Sequence, residues 1–379
     1  MSGLLGQLSD FCIDINVSGD RFLEEEAFNR VLCRERKRAE RSESFLLLAV
    51  MDLSAYTKVT EREMVIRILS EHMASGMRET DVCGWRSGGT ALGILFNLIA
   101  VADVTIALQS LEMKVRARLK RWLPASSYQK IVLIFELFPD TRRHTGQDSG
   151  YNLLFYPEVI AKTSAENVAN KLKRCMNISA SLCVLVLLLP LTTVIALLVR
   201  LTSKGPALFR QERLGQYGKP FMFLKFRTMY VNNDDTIHRN FVKSLINAKV
   251  EPETVTAKQA GVFKITDDPR VTPLGRFLRK TSLDELPQFI NVLKGDMSLV
   301  GPRPAIAYEV DSYAAWHRYR VLARKPGITG LWQVVGRSMT TFDEMVRLDL
   351  RYIKNGSIWL DVKLLLATPK AVLFGKGAV

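Results

Sequence analysis

Over the first third of the chain the apolar and polar positions alternate between a helical and a strand period. Residues 22–43 are charged with helical spacing, whereas 45–53 (FLLLAVMDL) is a short apolar run that reads as a buried strand. Helical spacing returns over 61–77. Strand-like stretches follow at 81–86 and 91–97, with Ser87, Gly88 and Gly89 between them as a hairpin signal. A long helical pattern over 100–122 and a last strand over 130–138 complete the order β-α-β-β-α-β, the ferredoxin-like arrangement.

Residues 139–151 (PDTRRHTGQDSGY) are polar, aperiodic and rich in turn formers. They mark a boundary between an α/β domain over 1–139 and a second domain over 171–379, with a linker over 140–170. Within the second domain, 175–199 carries no charged residue and is dominated by SLCVLVLLLPLTTVIALLV. As one helix it would measure roughly 37 Å, long enough to cross a bilayer core. Two details favour a broken, re-entrant helix over a spanning one. Pro190 lies well inside the run, where it removes a backbone hydrogen bond. Both flanks are basic (Lys171, Lys173 and Arg174 before, Arg200, Lys204, Arg210 and Arg213 after), whereas a spanning helix concentrates positive charge on its cytoplasmic side.

Beyond the run, short helical patterns recur at 274–280, 283–293 and 341–354, with no strand alternation competing. The tail over 359–374 mixes apolar clusters with lysines, which suits a membrane-interface helix and an amphipathic core helix equally. The expected fold class is therefore α+β: a ferredoxin-like domain followed by a mainly helical, membrane-associated domain.

A formal charge of +15 narrows the partners to polyanions: nucleic acid, an anionic membrane surface or phosphate-bearing substrates. No zinc, helix-turn-helix or aromatic-stacking signature supports nucleic acid. The five cysteines (Cys12, Cys33, Cys83, Cys175, Cys183) are scattered, which points to reduced thiols and away from a zinc site. The four histidines are too far apart for metal-ligand spacing, and no signal peptide is expected at the N-terminus.

The stretch 277–305 (FLRKTSLDELPQFINVLKGDMSLVGPRPA) holds the candidate chemistry. Thr281 or Ser282 could cap a helix whose first turn carries Asp284 and Glu285, a favourable place for carboxylates without any further role. The surroundings add to this. Arg279 and Lys280 precede the pair, and Arg303 follows between Pro302 and Pro304, a stiff support for a guanidinium that would meet phosphate oxygens. Neighbours on a helix point about 100° apart, so the two acids suit separate tasks, a nucleophile and a metal ligand.

Residues 171–379 resemble the monotopic phosphoglycosyl transferases, bacterial sugar transferases that begin glycan assembly on undecaprenyl phosphate. The matching stretches are SKGPALFRQERLGQYGKPFMFLKFRTM (203–229), KITDDPRVTPLGRFLRKTSLDELPQFINVLKGDMSLVGPRP (264–304) and KPGITGLWQVVGR (325–337). The resemblance implies a monotopic enzyme with a re-entrant helix-break-helix, its catalytic domain on the cytoplasmic face of the bacterial inner membrane. Its partners would be a UDP-sugar, polyprenyl (undecaprenyl) phosphate and membrane lipid, with no nucleic acid. Asp284 would attack the β-phosphate, UMP would leave, and polyprenyl phosphate would collect the sugar phosphate from the aspartate. Glu285 would hold Mg²⁺. Arg279 and Arg303 match phosphate-contacting positions, and Lys225, Arg227 and Arg337 are further anion contacts, with Asp267, Asp268 and Arg270 shaping the site. One departure is Leu189, where many members carry Ser before the break proline.

The N-terminal domain resembles the diguanylate-cyclase (GGDEF-type) fold through 45–56 and 86–96. After Gly88 and Gly89 it has Thr90, Ala91 and Leu92 in place of the metal-binding acids, so no cyclase activity is expected. Arg78-Glu79-Thr80-Asp81 is similar to that family's R-x-x-D nucleotide site, one residue out of register. Regulation or homodimer formation is the expectation for this domain. The competing reading of the whole chain is a membrane-anchored nucleotide-sensing protein without catalysis.

Overall fold

A computed structural model describes residues 22–42, 44–73, 78, 80–98, 104–139, 153–160, 164–231, 246, 270–336 and 340–374. The chain divides into two compact units, the first up to Thr141 together with Leu154–Glu158 and the second carrying Val159–Val379.

The first unit is built on a five-stranded sheet. Its elements are β1 (Phe22–Leu23), α1 (Glu25–Ser42), β2 (Phe45–Asp52), α2 (Val59–Met73), β3 (Val82–Arg86), β4 (Ala91–Leu98), α3 (Val104–Trp122), a short α4 (Ala125–Tyr128) and β5 (Val132–Phe138). The strand order is β1-β3-β4-β2-β5. β2 pairs antiparallel with both β4 and β5. From Phe45 to Met51 it is apolar because both its faces are covered. Leu47, Ala49 and Met51 join Val65 and Leu69 of α2 and Leu119 of α3 in one core, while Leu46 and Leu48 are buried on the other face. On that other face Gly84 and Gly93 sit opposite each other in register. A Cβ on either would meet the ring of Phe28 from α1 within 2.8 Å, so the glycine pair is what lets α1 lie on the sheet.

Two features differ from the sequence expectation. Residues 22–23 form a strand parallel to β3, held by Phe22 edge-on to Trp85 at 5.6 Å, where a helix over 22–43 was expected. Residues 154–158, expected in a linker, pack on the first unit. The buried Arg36 guanidinium donates to the Phe155 carbonyl at 2.7 Å and to Glu158 at 2.7 Å, and it stacks over the Tyr156 ring at 4.2 Å. The β3–β4 turn keeps the expected glycine chemistry, with positive φ at Ser87, Gly88 and Gly89. Its backbone is already engaged: the Gly88 N–H donates to Glu25 at 2.8 Å, and Arg62 donates to the Gly89 carbonyl.

The second unit begins with α6 (Ser164–Leu187) and α7 (Leu189–Thr202), after a short α5 (Pro157–Ile160). No single helix among the described residues is long and apolar enough to cross a membrane. The pair 167–187 and 189–202 passes that test together, with a bend of 64° between its halves. The break falls at Leu188, and Pro190 sits in the first turn of α7, where the absent N–H has no carbonyl to serve. Just past the break, the Thr192 and Thr193 hydroxyls donate to the Leu189 carbonyl at 2.9 and 2.8 Å.

One face of the pair is buried and the other is bare. Asn177 and Ser181 are buried, with Asn177 donating to Ser298 at 3.0 Å. Leu182, Val186, Leu187, Leu189, Val194, Leu197 and Leu201 are exposed. Of the basic flank, Lys173 and Arg174 turn inward. Arg174 caps carbonyls of Val292 and Leu293 at 2.6 and 2.7 Å, and Lys173 pairs with the buried Asp361 at 2.8 Å. These two cations are structural, and reading them as charges that mark a membrane side is corrected.

An antiparallel hairpin follows, β6 (Leu208–Leu214) and β7 (Pro220–Phe226), where no strands were expected. Its strands are only partly covered, so burial does not alternate cleanly along them and leaves a weak period-two signal. After it come the Pro273–Thr281 helix, a 3₁₀ turn Leu283–Glu285, the Gln288–Lys294 helix and a two-stranded parallel pair, β8 (Ser298–Val300) with β9 (Gly327–Thr329). The helices Ala315–Ala323, Phe342–Asn355 and Ile358–Phe374 complete the unit. The last buries Asp361 and Leu364 while exposing Trp359 and Leu366.

Candidate active site

The Pro273–Thr281 helix starts on a cap that the sequence dictates. Pro273 occupies its first turn, and the Thr272 hydroxyl accepts from the Gly275 N–H at 2.9 Å. It ends at Ser282, which adopts the left-handed conformation with φ 56°. Leu283–Glu285 then make a single 3₁₀ turn before Pro287 opens the next helix. Asp284 and Glu285 therefore sit between two helices. The capping expectation is corrected: the Thr281 hydroxyl donates back to Phe277 and Leu278 carbonyls, and Ser282 makes no side-chain cap.

Packing fixes this turn against the bent helix pair. Leu283 and Leu286, which flank the two acids, pack with Ile195 and Val199 of α7, Phe226 of β7 and Leu278. Buried Asn291 ties the following helix to β7. It accepts from the Leu224 N–H at 3.1 Å and donates to the Met222 carbonyl at 2.7 Å. Lys225 is thereby held beside the turn.

The charges converge here. Asp284 is only 8% exposed. Burial pushes the Lys225 ammonium down to about 8; Arg213 and Arg279 add to the fall, while Asp284 and Glu285 oppose it. Burial likewise pushes Arg213 down to about 10, with Arg303 as the main like-charge neighbour and Glu309 and Glu285 opposing. The Arg279 guanidinium is aimed by Thr228, whose hydroxyl accepts from Nε at 3.0 Å. Two carboxylates thus lie among four cations, the field that a diphosphate needs.

Of the residues expected from sequence, Asp284, Glu285, Arg279, Arg303 and Lys225 come together. Arg227 does not. Its guanidinium donates to the Val199, Ser203 and Lys204 carbonyls at 3.2, 2.8 and 2.8 Å, so it closes the C-terminus of α7, and its assignment as an anion contact is corrected. Arg337, Asp267 and Asp268 lie outside the described residues; Arg270 accepts a backbone bond from Tyr230 at 3.0 Å.

Sequence reasoning missed Arg213 and Thr228, and also the buried ion pair Arg320–Asp349 at 2.9 Å. Asp349 had a legible signal, an acid on the apolar stripe Met345, Val346, Tyr352 and Ile353. Burial pushes its carboxyl up to about 6, against the pull of Arg320 and Arg303.

Among the described residues no three His, Cys, Asp or Glu side chains gather into a metal-binding group. The donor set is the adjacent Asp284 and Glu285. That set fits Mg²⁺, which takes one or two carboxylates and draws its other ligands from water and substrate phosphates.

The profile of the family described as bacterial sugar transferase matches residues 168–375, more than half of the chain. The chain belongs to the bacterial sugar transferases. This bacterial sugar transferase is 41% identical over 232 residues to the undecaprenyl-phosphate galactose phosphotransferase of Salmonella typhimurium, a match covering 60% of the chain and 46% of that protein. It is 35% identical over 282 residues to the UDP-glucose:undecaprenyl-phosphate glucose-1-phosphate transferase of Escherichia coli, covering 71% of the chain and 54% of the relative. The exopolysaccharide production protein ExoY of Sinorhizobium fredii matches at 37% identity over 206 residues, 54% of the chain and 87% of ExoY. The chain thus spans about half the length of the first two. A solved GGDEF domain of DgcB from Caulobacter crescentus aligns with 31% of the chain and 69% of that domain at 18% identity, with a TM-score of 0.24.

Proposed function

We propose that this protein transfers a sugar 1-phosphate from a UDP-sugar to polyprenyl (undecaprenyl) phosphate, the first membrane step of exopolysaccharide or related glycan assembly. The observation that carries the reading is the convergence of Asp284 and Glu285 with Lys225, Arg213 and Arg279 on a turn packed against the bent apolar helix pair. The names of the Salmonella and Escherichia coli relatives support both substrates.

The reaction runs as two displacements. An Asp284 carboxylate oxygen attacks the β-phosphorus of the UDP-sugar. A P–O bond forms to the aspartate, the P–O bond bridging to the α-phosphate breaks, and UMP leaves with that electron pair. A phosphate oxygen of the polyprenyl carrier then attacks the same phosphorus, releasing Asp284 and giving the polyprenyl diphosphosugar. Arg279 and Arg303 hold phosphate oxygens, and Lys225 adds positive charge beside the nucleophile. Glu285 would hold Mg²⁺, which supplies neutralisation of the diphosphate charge.

The bent pair α6–α7 is read as a re-entrant element, its bare apolar face in one leaflet and the unit on the cytoplasmic side of the bacterial inner membrane. The first unit, with its strand order β1-β3-β4-β2-β5, is read as a ferredoxin-like sheet with one added edge strand, in a regulatory role or as a homodimer contact. The nucleotide-sensing alternative finds no support at the Gly88–Gly89 turn, where Glu25 and Arg62 already occupy the backbone.

The test is UMP release by the membrane-bound full-length protein across UDP-glucose, UDP-galactose and N-acetylated UDP-amino sugars, with undecaprenyl phosphate present. Release with at least one donor, coupled to sugar transfer into lipid and stopped by chelation of divalent cations, is expected. No release with any donor would overturn the proposal.

A further inference from the structure

Arg303 lies in a strap, residues 301–305, whose every carbonyl from Pro302 onward is taken. The Gly327 N–H donates to Pro302 at 2.8 Å, the Arg320 guanidinium to Arg303 at 2.8 Å, the Arg213 guanidinium to Pro304 at 2.9 Å, and the Leu214 N–H to Ala305 at 2.9 Å. The strap approaches β9 so closely that a Cβ on Gly327 would meet the Gly301 nitrogen at 2.1 Å. Pro302 and Pro304 have no N–H to satisfy. The N–H of Arg303, between them, bonds the Asp349 carboxylate. Both backbone groups of Arg303 are therefore held by one ion pair, with Arg320 at 2% and Asp349 at 1% side-chain exposure.

That pair sits where a hydrophobic contact would serve stability as well. A buried ion pair contributes little net stability over well-packed apolar residues of similar volume. What it supplies here is direction: two fixed hydrogen bonds that set the backbone from which the Arg303 side chain leaves. Arg213 adds a third from the hairpin, its own ring contact with Phe223 at 4.3 Å keeping it in place.

We infer that Arg320 and Asp349, with Arg213 in support, are positioning residues that act through Arg303, fixing its guanidinium for the phosphate that moves between donor and carrier. The inference rests on the transferase reading above. Arg320 and Asp349 touch no substrate in this account, and their effect on rate passes through a single side chain.

The experiment is a double-mutant cycle on the full-length membrane protein, with kcat and KM measured alongside thermal unfolding. Arg320→Gln is expected to lower kcat about 10- to 100-fold with KM for the UDP-sugar changed less than about 3-fold. In an Arg303→Ala background the same substitution should change kcat by less than about 2-fold. An equal loss in both backgrounds would overturn the positioning role and leave Arg320 a fold residue. Should Arg320→Gln fail to fold, the paired replacement Arg320→Met with Asp349→Leu removes both charges together and carries the same cycle. If neither folds, the pair determines the fold and the inference is wrong. Failure of the parent reading is distinct: the unsubstituted protein would then release no UMP with any donor.

Discussion

Asp284→Asn is expected to lower sugar-phosphate transfer by about 10³-fold or more, with the protein still folded and membrane-bound. The amide keeps the size of the carboxylate but turns one acceptor oxygen into an NH2 donor, and it has no electron pair fit to displace UMP. The position is 8% exposed and lies in a 3₁₀ turn fixed by Leu283 and Leu286, so the isosteric change leaves the packing intact. Loss of the negative charge also leaves Lys225 with one fewer opposing carboxylate, and its ammonium should titrate still lower than about 8. UMP release by the purified variant is the measurement. Turnover within about 10-fold of the unsubstituted enzyme would remove Asp284 from the nucleophile's role.

Lys173→Met is expected to be strongly destabilising. Its ammonium, on α6, donates to the Val300 carbonyl at 3.1 Å and the Tyr352 hydroxyl at 2.8 Å, and pairs with Asp361 at 2.8 Å. Asp361 is 1% exposed, and its other partner is the Tyr352 hydroxyl at 2.6 Å. Removing the lysine strands a buried carboxylate, a loss of about 3–5 kcal/mol. Thermal unfolding of the detergent-solubilised protein checks this, and the paired Lys173→Met, Asp361→Leu variant should recover most of the loss. An unfolding temperature unchanged by Lys173→Met would mean the pair is not what docks α6 to the rest of the unit.

The parts of this fold legible in the sequence are those where one local cause suffices. The run at 45–53 is apolar because β2 is covered on both faces, and Ser87 to Gly89 demand positive φ in any hairpin. Pro190 announced the helix break, though the chain bends at Leu188 and leaves the proline inside the next turn. The β6–β7 hairpin escaped because its faces are unevenly covered. Its turn residues Gly215 and Gly218 were the available signal.

The site was legible as a set of charges but not as a set of contacts. Lys225 and Arg227 stand two residues apart in one motif, yet one lies in the field of Asp284 and Glu285 and the other closes the end of α7. Long side chains choose between such targets by tertiary packing, which spacing does not encode. Asp349 and Arg320 each betray themselves as charges among buried neighbours. Their joint hold on Arg303 depends on a strap that arrives from another part of the chain.

Passage of the sugar phosphate through a bond to Asp284 can be seen in the absence of the lipid acceptor. Purified protein is incubated with a UDP-sugar labelled in the sugar, quenched, and examined by intact and peptide mass spectrometry. The account predicts release of about one equivalent of UMP and a sugar-phosphate adduct on the peptide carrying Asp284, discharged when undecaprenyl phosphate is added. UMP release that begins only with the acceptor, with no adduct on the protein at any time, would contradict it.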